Sequence, residues 1–282
     1  MQDSFQYCQQ LVREQDKDRF LSALFAPVSR RPALYALYAF DIEIARIGAR
    51  VREPLAGEVR LQWWREVLGG GRSEEALANP VAAALIAARR TDELPAAPLL
   101  ALLDARTFDL YAEPMQSLAA LEQYAEGTAG IVMRMAARVL AGSDVPDMEK
   151  LAAHAATAVA IVTAIKRLPA DAGRGKLYLP VDLLQRHGAS VEDLFAGRFT
   201  PALRAAIDQL RGHAHAHCDA AKQLFVHAPD AVRPAFLAAM LTPLFLARMA
   251  RRDFNPYRTS LEIPQWRRQW QLWRTAHANR AE

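Results

Sequence analysis

With 282 residues, 52% of them hydrophobic, the chain has ample material for a buried core, and a net charge of only +4 is too small for a dedicated nucleic-acid binder. Its basic pairs (Arg30-Arg31, Arg89-Arg90, Arg251-Arg252 and Arg267-Arg268) are scattered among acids and accompany no recognised binding motif, so no nucleic-acid partner is expected. Two cysteines, Cys8 and Cys218, exclude a disulfide framework and a paired-thiolate metal site, which fits a reducing compartment.

Apolar residues recurring at spacings of three and four predict helices over 4–15, 17–25, 30–50, 55–68, 74–89, 96–111, 118–141, 147–167, 180–186, 190–195, 200–227, 230–250 and 264–276. Abundant alanine favours this all-α reading, because Ala gives up no side-chain entropy in a helix. Breaks fall at Gly69-Gly-Gly71, Leu94-Pro-Ala-Ala-Pro98, Ala141-Gly-Ser-Asp-Val-Pro146 and Ala228-Pro-Asp230, ordinary turn chemistry and too short for interdomain linkers. One domain over 1–282 is therefore expected, with Asp147 and Ser190 as helix starts. The start, Met1-Gln-Asp-Ser-Phe, has neither the basic nor the apolar part of an export signal. No run of uninterrupted apolar residues reaches membrane-span length, 231–250 being broken by Arg233, Pro234, Pro243 and Arg248. The expected location is cytoplasmic, with peripheral contact at the inner membrane left open.

Two helical stretches bear on chemistry. The first reads Tyr35-Ala-Leu-Tyr-Ala-Phe-Asp-Ile-Glu-Ile-Ala-Arg-Ile-Gly-Ala49, and the second Thr163-Ala-Ile-Lys-Arg-Leu-Pro-Ala-Asp-Ala-Gly-Arg-Gly-Lys-Leu-Tyr-Leu-Pro180. Acids four apart on a helix share one face, about 5–6 Å from each other. Two such pairs facing across a cavity would hold the Mg²⁺ ions that neutralise a diphosphate.

These stretches resemble the two metal-binding walls of the squalene/phytoene synthase family. Arg30-Arg31-Pro-Ala-Leu-Tyr-Ala-Leu-Tyr-Ala-Phe40 is similar to that family's first core helix, Leu61-Gln-Trp-Trp-Arg-Glu-Val-Leu68 to the next and Leu103-Asp-Ala-Arg-Thr-Phe-Asp-Leu110 to a third. Tyr124-Ala-Glu-Gly-Thr-Ala-Gly130 resembles the small-residue cavity helix, and Gly175-Lys-Leu-Tyr-Leu-Pro180 the segment after the second acidic motif. The resemblance implies a single isoprenoid-synthase-like helical bundle around a central cavity. It places the family's metal-binding aspartates on Ala45, Ala49, Arg167 and Asp171, so one carboxylate of the set survives. Asp41 lies a turn before Ala45 and Glu43 points to another face, so neither restores a facing pair.

Lost catalysis is what these departures imply, because Arg46, Lys166 and Arg167 put positive charge where a cation would sit, and at about 4 Å that repulsion is several kcal/mol. No catalytic residue and no metal is expected. Within the family, Ile161-Val-Thr163, the run Lys176 to Gly188, Ser190-Val-Glu-Asp193 and the ending Leu261 to Arg274 look like the phytoene-synthase-like assembly factors of mitochondrial complex I. The implied partner is a complex I subunit or assembly intermediate. The alternative is an Mg²⁺-dependent head-to-head prenyl transferase using Asp171 with Asp41, Glu43 or Asp104.

Several groups invite a second use. Arg46, Lys166, Arg167, Arg174 and Tyr178 could hold an anionic head group of a lipid or prenyl ligand without metal, since guanidinium forks suit phosphate. Tyr35, Tyr38, Phe40, Met133, Met135, Phe236 and Met240 are expected to line or flank the old tunnel, a spacing that core packing also explains. Gly130 belongs to the cavity helix, and Asp104 and Asp109 to a cavity wall, paired with Arg106, Arg46 or Arg167. Trp266, Trp270 and Trp273, with Arg267 and Arg268 beside them, suit a membrane interface, although three rings could equally dock as a hydrophobic lid. His213, His215 and His217 are read as solvated surface histidines, because His215 points away from the other two and a site needs further ligands.

Overall fold

The computed structural model describes residues 2–51, 53–91 and 94–278, and every regular element among them is helical. Helices α1 (Gln2–Gln15) and α2 (Lys17–Ala23) meet at Asp16, whose side chain caps α2 by accepting from the Arg19 N–H at 3.0 Å. Next comes α3 (Arg31–Ala45), buried without interruption from Ala33 to Ile42 because its sequence is apolar on nearly every face. The helix expected over 30–50 breaks at Arg46, and a short α4 (Ile47–Arg50) follows.

Proline and glycine cause most of the other departures from the expected elements. After α5 (Pro54–Leu68), the stretch 74–89 splits into α6 (Ser73–Ala78) and α7 (Pro80–Thr91). Pro80 has no N–H to continue the ladder, and the Asn79 side chain caps the new helix by accepting from the N–H groups of Val81 and Ala82. Helix α8 (Ala96–Arg106) stops short of 111 and tightens into a 3₁₀ turn, Thr107–Leu110. The span 118–141 divides into α9 (Leu118–Ala125), a π turn at Glu126–Gly130, and α10 (Ile131–Ala141), which Gly142 ends in a left-handed conformation.

Two long helices form the other half of the bundle. Helix α11 (Glu149–Ala172) starts after Asp147, which sits in a 3₁₀ turn, and runs past 167 to include Pro169 in its last turn. Short α12 (Val181–Arg186) and α13 (Val191–Phe195) follow, with Ser190 capping the latter as expected. They lead to α14 (Pro201–Val226), capped by Thr200. The expected helix 230–250 is instead two 3₁₀ turns followed by α15 (Thr242–Met249), because Pro234 and Pro243 each remove a donor. Helix α16 (Gln265–His277) closes the described chain.

One continuous apolar core joins these elements, with α11 against α14, α1 against α3, and α7 across both α1 and α3. The stretch Pro146–Ala172 is long enough, and over its most apolar window apolar enough on average, to cross a bilayer although charged residues interrupt it, yet 61% of that window is buried inside the fold. It is the central core helix, apolar because neighbours surround it.

Candidate functional site

Where α3 faces α11, the bundle encloses a cavity of about 280 Å³. Its wall combines Gln15, Asp16 and Arg19 from the α1–α2 corner with Asp41, Ile42 and Ala45 from α3, and with Val159, Ala160, Thr163, Ala164, Arg167 and Asp171 from α11. Arg106, Asp109, Leu121, Tyr124, Thr128, Ala129 and Tyr178 complete it. The π turn contributes directly: its wider backbone ring carries Thr128, whose hydroxyl donates to the Tyr124 carbonyl at 2.6 Å.

The cavity carboxylates are held by cations and hydroxyls already present in the fold. Arg19 donates to one oxygen of Asp41 at 2.6 Å and Arg106 to the other at 2.9 Å. Arg106 also reaches Asp109 at 3.2 Å and the Tyr124 hydroxyl at 2.9 Å. Tyr124 and Tyr178 both donate to the second Asp109 oxygen, at 2.8 and 2.7 Å, while the Lys176 ammonium donates to the Asp109 carbonyl. Arg167 meets Asp171 at 3.3 Å, and Arg19 reaches Asp16 at 3.4 Å.

Burial alone would raise the Asp41 carboxyl, but Arg106 and Arg19 overcome it and hold the group down at about 2. The Asp171 carboxyl moves the other way, since burial pushes it up and Arg167, half exposed, only partly offsets that. Burial likewise raises the Tyr124 and Tyr178 hydroxyls, reinforced for Tyr178 by Asp109, so both stay protonated and act as donors.

Fit to a magnesium cluster is poor on this geometry. Mg²⁺ demands near-octahedral oxygen ligation with free carboxylates. One wall offers the Ala45 methyl at the cavity and an exposed Ala49 beyond the Arg46 break, so the two positions no longer lie on one continuous helix face. The other offers Asp171, already engaged by the arginine that stands at the paired position. Arg46 is not itself part of the lining but donates to Gln15, a lining residue at the α1–α2 corner.

Several expected site residues lie elsewhere. Lys166 faces the C-terminal segment, 3.8 Å from Glu262 and over the Phe245 ring, and Arg174 is exposed, contributing only long-range charge near Asp171. Of the proposed anion holders, Arg167 and Tyr178 line the cavity. With Asp16, Asp41, Asp109 and Asp171 opposite Arg19, Arg106 and Arg167, the lining is mixed in sign with one acid in excess, rather than basic.

Tyr35, Tyr38 and Phe40 do not line the cavity; they pack in the core, Tyr35 stacked on Phe20 and Phe40 edge-on to Trp64 at 5.0 Å. Met133, Met135, Phe236 and Met240 are core residues too, and Gly130 is buried behind Ala129, outside the lining. Asp104 is exposed and pairs with Arg65 at 2.9 Å, whereas Asp109 is the cavity acid. Sequence reasoning missed Asp16, Arg19 and Lys176. Asp41 was the available signal, since a lone carboxylate amid a wholly apolar helix needs buried cations to neutralise it.

At the C-terminus, Trp266, Trp270 and Trp273 are 67%, 57% and 51% exposed, so the three rings do not dock as a lid. Arg267 is exposed beside them. Arg268 is not available to a membrane: it is buried, donating to the Ile263 carbonyl at 3.0 Å and pairing with Asp18 at 2.5 Å and Glu262 at 3.2 Å.

The profile of the squalene/phytoene synthase family matches residues 12–274. A protein of Rattus norvegicus named NADH dehydrogenase (ubiquinone) complex I, assembly factor 6 is 30% identical over 260 residues, covering 92% of this chain and 78% of that protein. A phytoene synthase of Thermus thermophilus is 30% identical over 208 residues, covering 73% of this chain and 69% of its own length. Among solved structures, a squalene synthase from Alicyclobacillus acidocaldarius superposes with a TM-score of 0.76 at 25% identity, covering 90% of this chain and 95% of that one.

Proposed function

We propose, starting from the fact that the chain belongs to the squalene/phytoene synthase family, that it has left prenyl condensation and serves as a binding or assembly factor for a respiratory NADH dehydrogenase, complex I or one of its assembly intermediates. The observation that carries this reading is the self-neutralised cavity: Asp41 lies between Arg19 and Arg106, and Asp171 is paired with Arg167. Each acid that could have met a metal–diphosphate cluster has its charge already answered from within the protein. Similarity over 92% of the chain to a protein named as a complex I assembly factor supports the partner class.

The cavity size supports the same view. At about 280 Å³ it lies just below the range for small-molecule sites, about 300–1,000 Å³, which suits one small ligand and not two prenyl diphosphates side by side. A lipid or single prenyl chain remains compatible with its apolar α11 wall of Val159, Ala160 and Ala164, with Arg167 and Tyr178 at the polar end.

Two measurements test this. Incubation of the purified protein with farnesyl or geranylgeranyl diphosphate and Mg²⁺ is expected to give neither condensed product nor Mg²⁺-dependent diphosphate binding; product formation would restore the prenyl-transferase reading. Deletion of the protein from its host is expected to deplete assembled NADH dehydrogenase while leaving subunit synthesis intact, and normal assembly would remove the partner.

A further inference from the structure

On the flank of the bundle away from the charged wall of the cavity, three helices converge on a cluster of imidazoles and one carboxylate. Glu122 comes from α9, His154 from α11, and His213 and His217 from successive turns of α14. His213 Nε2 lies 2.6 Å from Glu122 Oε1, and His217 Nε2 lies 3.7 Å from the same oxygen. One ligand atom from each of these three residues fits within a 4.8 Å span. His217 presents its other nitrogen, Nδ1, to His154 Nδ1 at 3.1 Å.

We propose that Glu122, His213 and His217 form a zinc site, with His154 as the outer partner that fixes the His217 ring. In a tetrahedral zinc centre with bonds of about 2.0 Å, ligand atoms stand about 3.3 Å apart, a separation that the observed 2.6 and 3.7 Å bracket. A ligating imidazole characteristically gives its second nitrogen to a hydrogen-bond partner, which selects the tautomer and aims the ring. With zinc on Nε2, the His217 proton would sit on Nδ1 and point at the His154 Nδ1 lone pair 3.1 Å away. Three protein ligands leave the fourth position to water, and all three ligating side chains keep partial exposure, 38%, 31% and 18%, so an ion can enter.

Sequence spacing could not show this. It places His213 and His217 one turn apart and His215 on the opposite side of the helix, one protein ligand short of the site. The third ligand and the outer partner come from helices far away in the chain. A bound ion would tie α9 to α14 across α11. Glu122 stands two residues before Tyr124, whose hydroxyl bonds to Asp109 and Arg106 in the cavity wall. The site is independent of the assembly role.

Tag-free protein stripped with chelator and titrated with Zn²⁺ against a chromophoric competitor is expected to bind about one equivalent with micromolar or tighter affinity. Co²⁺ in place of Zn²⁺ should give the visible bands of a tetrahedral centre. His213→Ala and His217→Ala should each weaken binding by about 100-fold or more, and His154→Ala by about 10-fold, the outer-partner range. Glu122→Gln should weaken it while leaving the fold intact, and His215→Ala should change nothing. At a hundredfold excess over Kd, Zn²⁺ should raise the melting temperature by about 5 °C. Binding well below one equivalent, or equal losses in His213→Ala and His215→Ala, would overturn the site, the latter by showing that the histidine run binds metal nonspecifically.

Discussion

Asp41 shows most directly how single residues set this protein's chemistry. Its two oxygens are taken by two arginines from different helices, so removing the acid leaves both guanidiniums facing a nearly dry wall. Asp41→Ala is expected to destabilise the fold by about 3–5 kcal/mol, read by denaturant unfolding. The sign of the acid response follows from the folded value of about 2 against an ordinary 3.8. Stability from this group is complete above about pH 4 and is lost as pH falls through 2, a change of about 2 kcal/mol. Asp171, raised by burial, acts in the opposite sense and gains stability below its folded value. The test is therefore the difference in acid unfolding between the wild type and Asp41→Asn: the variant should lose the Asp41 part of the slope, and identical profiles would count against the clamp.

Helix geometry decides whether those residues can cooperate. The break at Arg46 ends α3 between Ala45 and Ala49, and α4 then packs its Gly48 onto the 3₁₀ turn that carries Asp109. A Cβ at Gly48 would lie 2.3 Å from the Asp109 carbonyl oxygen, closer than any real contact. Gly48→Ala is expected to cost about 1–3 kcal/mol and to disturb the Tyr124–Asp109–Tyr178 hydroxyl network, measurable as a fall in melting temperature. Helix α16 presents the opposite case, since its Trp266, Trp270 and Trp273 carry little of the fold. Replacing all three by Ala should leave the melting temperature within about 1–2 °C of wild type. Sedimentation with anionic vesicles tests a membrane role for this face, whose indole rings flanked by Arg267 and Arg274 suit a headgroup layer: binding by the wild type that the variant loses would support it, and no binding by the wild type would remove it. Binding that the variant retains would exclude α16 as its source. Arg268→Ala, by contrast, should loosen α16 from α2, because it leaves Asp18 without its buried partner.

Across the whole molecule, the helical shell shared with the solved squalene synthase surrounds a cavity whose acids are largely paired with cations of the same chain. Four aspartates and three arginines line the cavity, so most of its negative charge is countered by the chain's own cations. Addition of millimolar Mg²⁺ is accordingly expected to leave the thermal midpoint unchanged. In a host lacking the protein, Asp171→Ala and wild type should restore NADH dehydrogenase assembly equally well. Selective failure of Asp171→Ala would point back to a role for the surviving motif acid.

The all-α class and most helix positions were legible in the sequence alone, because periodicity and caps are local properties; that Ala45, Ala49 and Arg167 stand at the family's metal-binding positions rests on the resemblance of the two stretches. Breaks at Arg46 and the π turn, and the uncoiling of 230–241, were less legible, since they depend on how neighbouring helices satisfy the backbone. Charge partnership was beyond it altogether. Arg19 and Arg106 reach Asp41 from 22 and 65 residues away, and Glu122 reaches His213 across 91, so only the folded chain could decide which charges cancel and which ligands converge. Side chains far apart along the chain interact only once the folded core has fixed the helices that carry them.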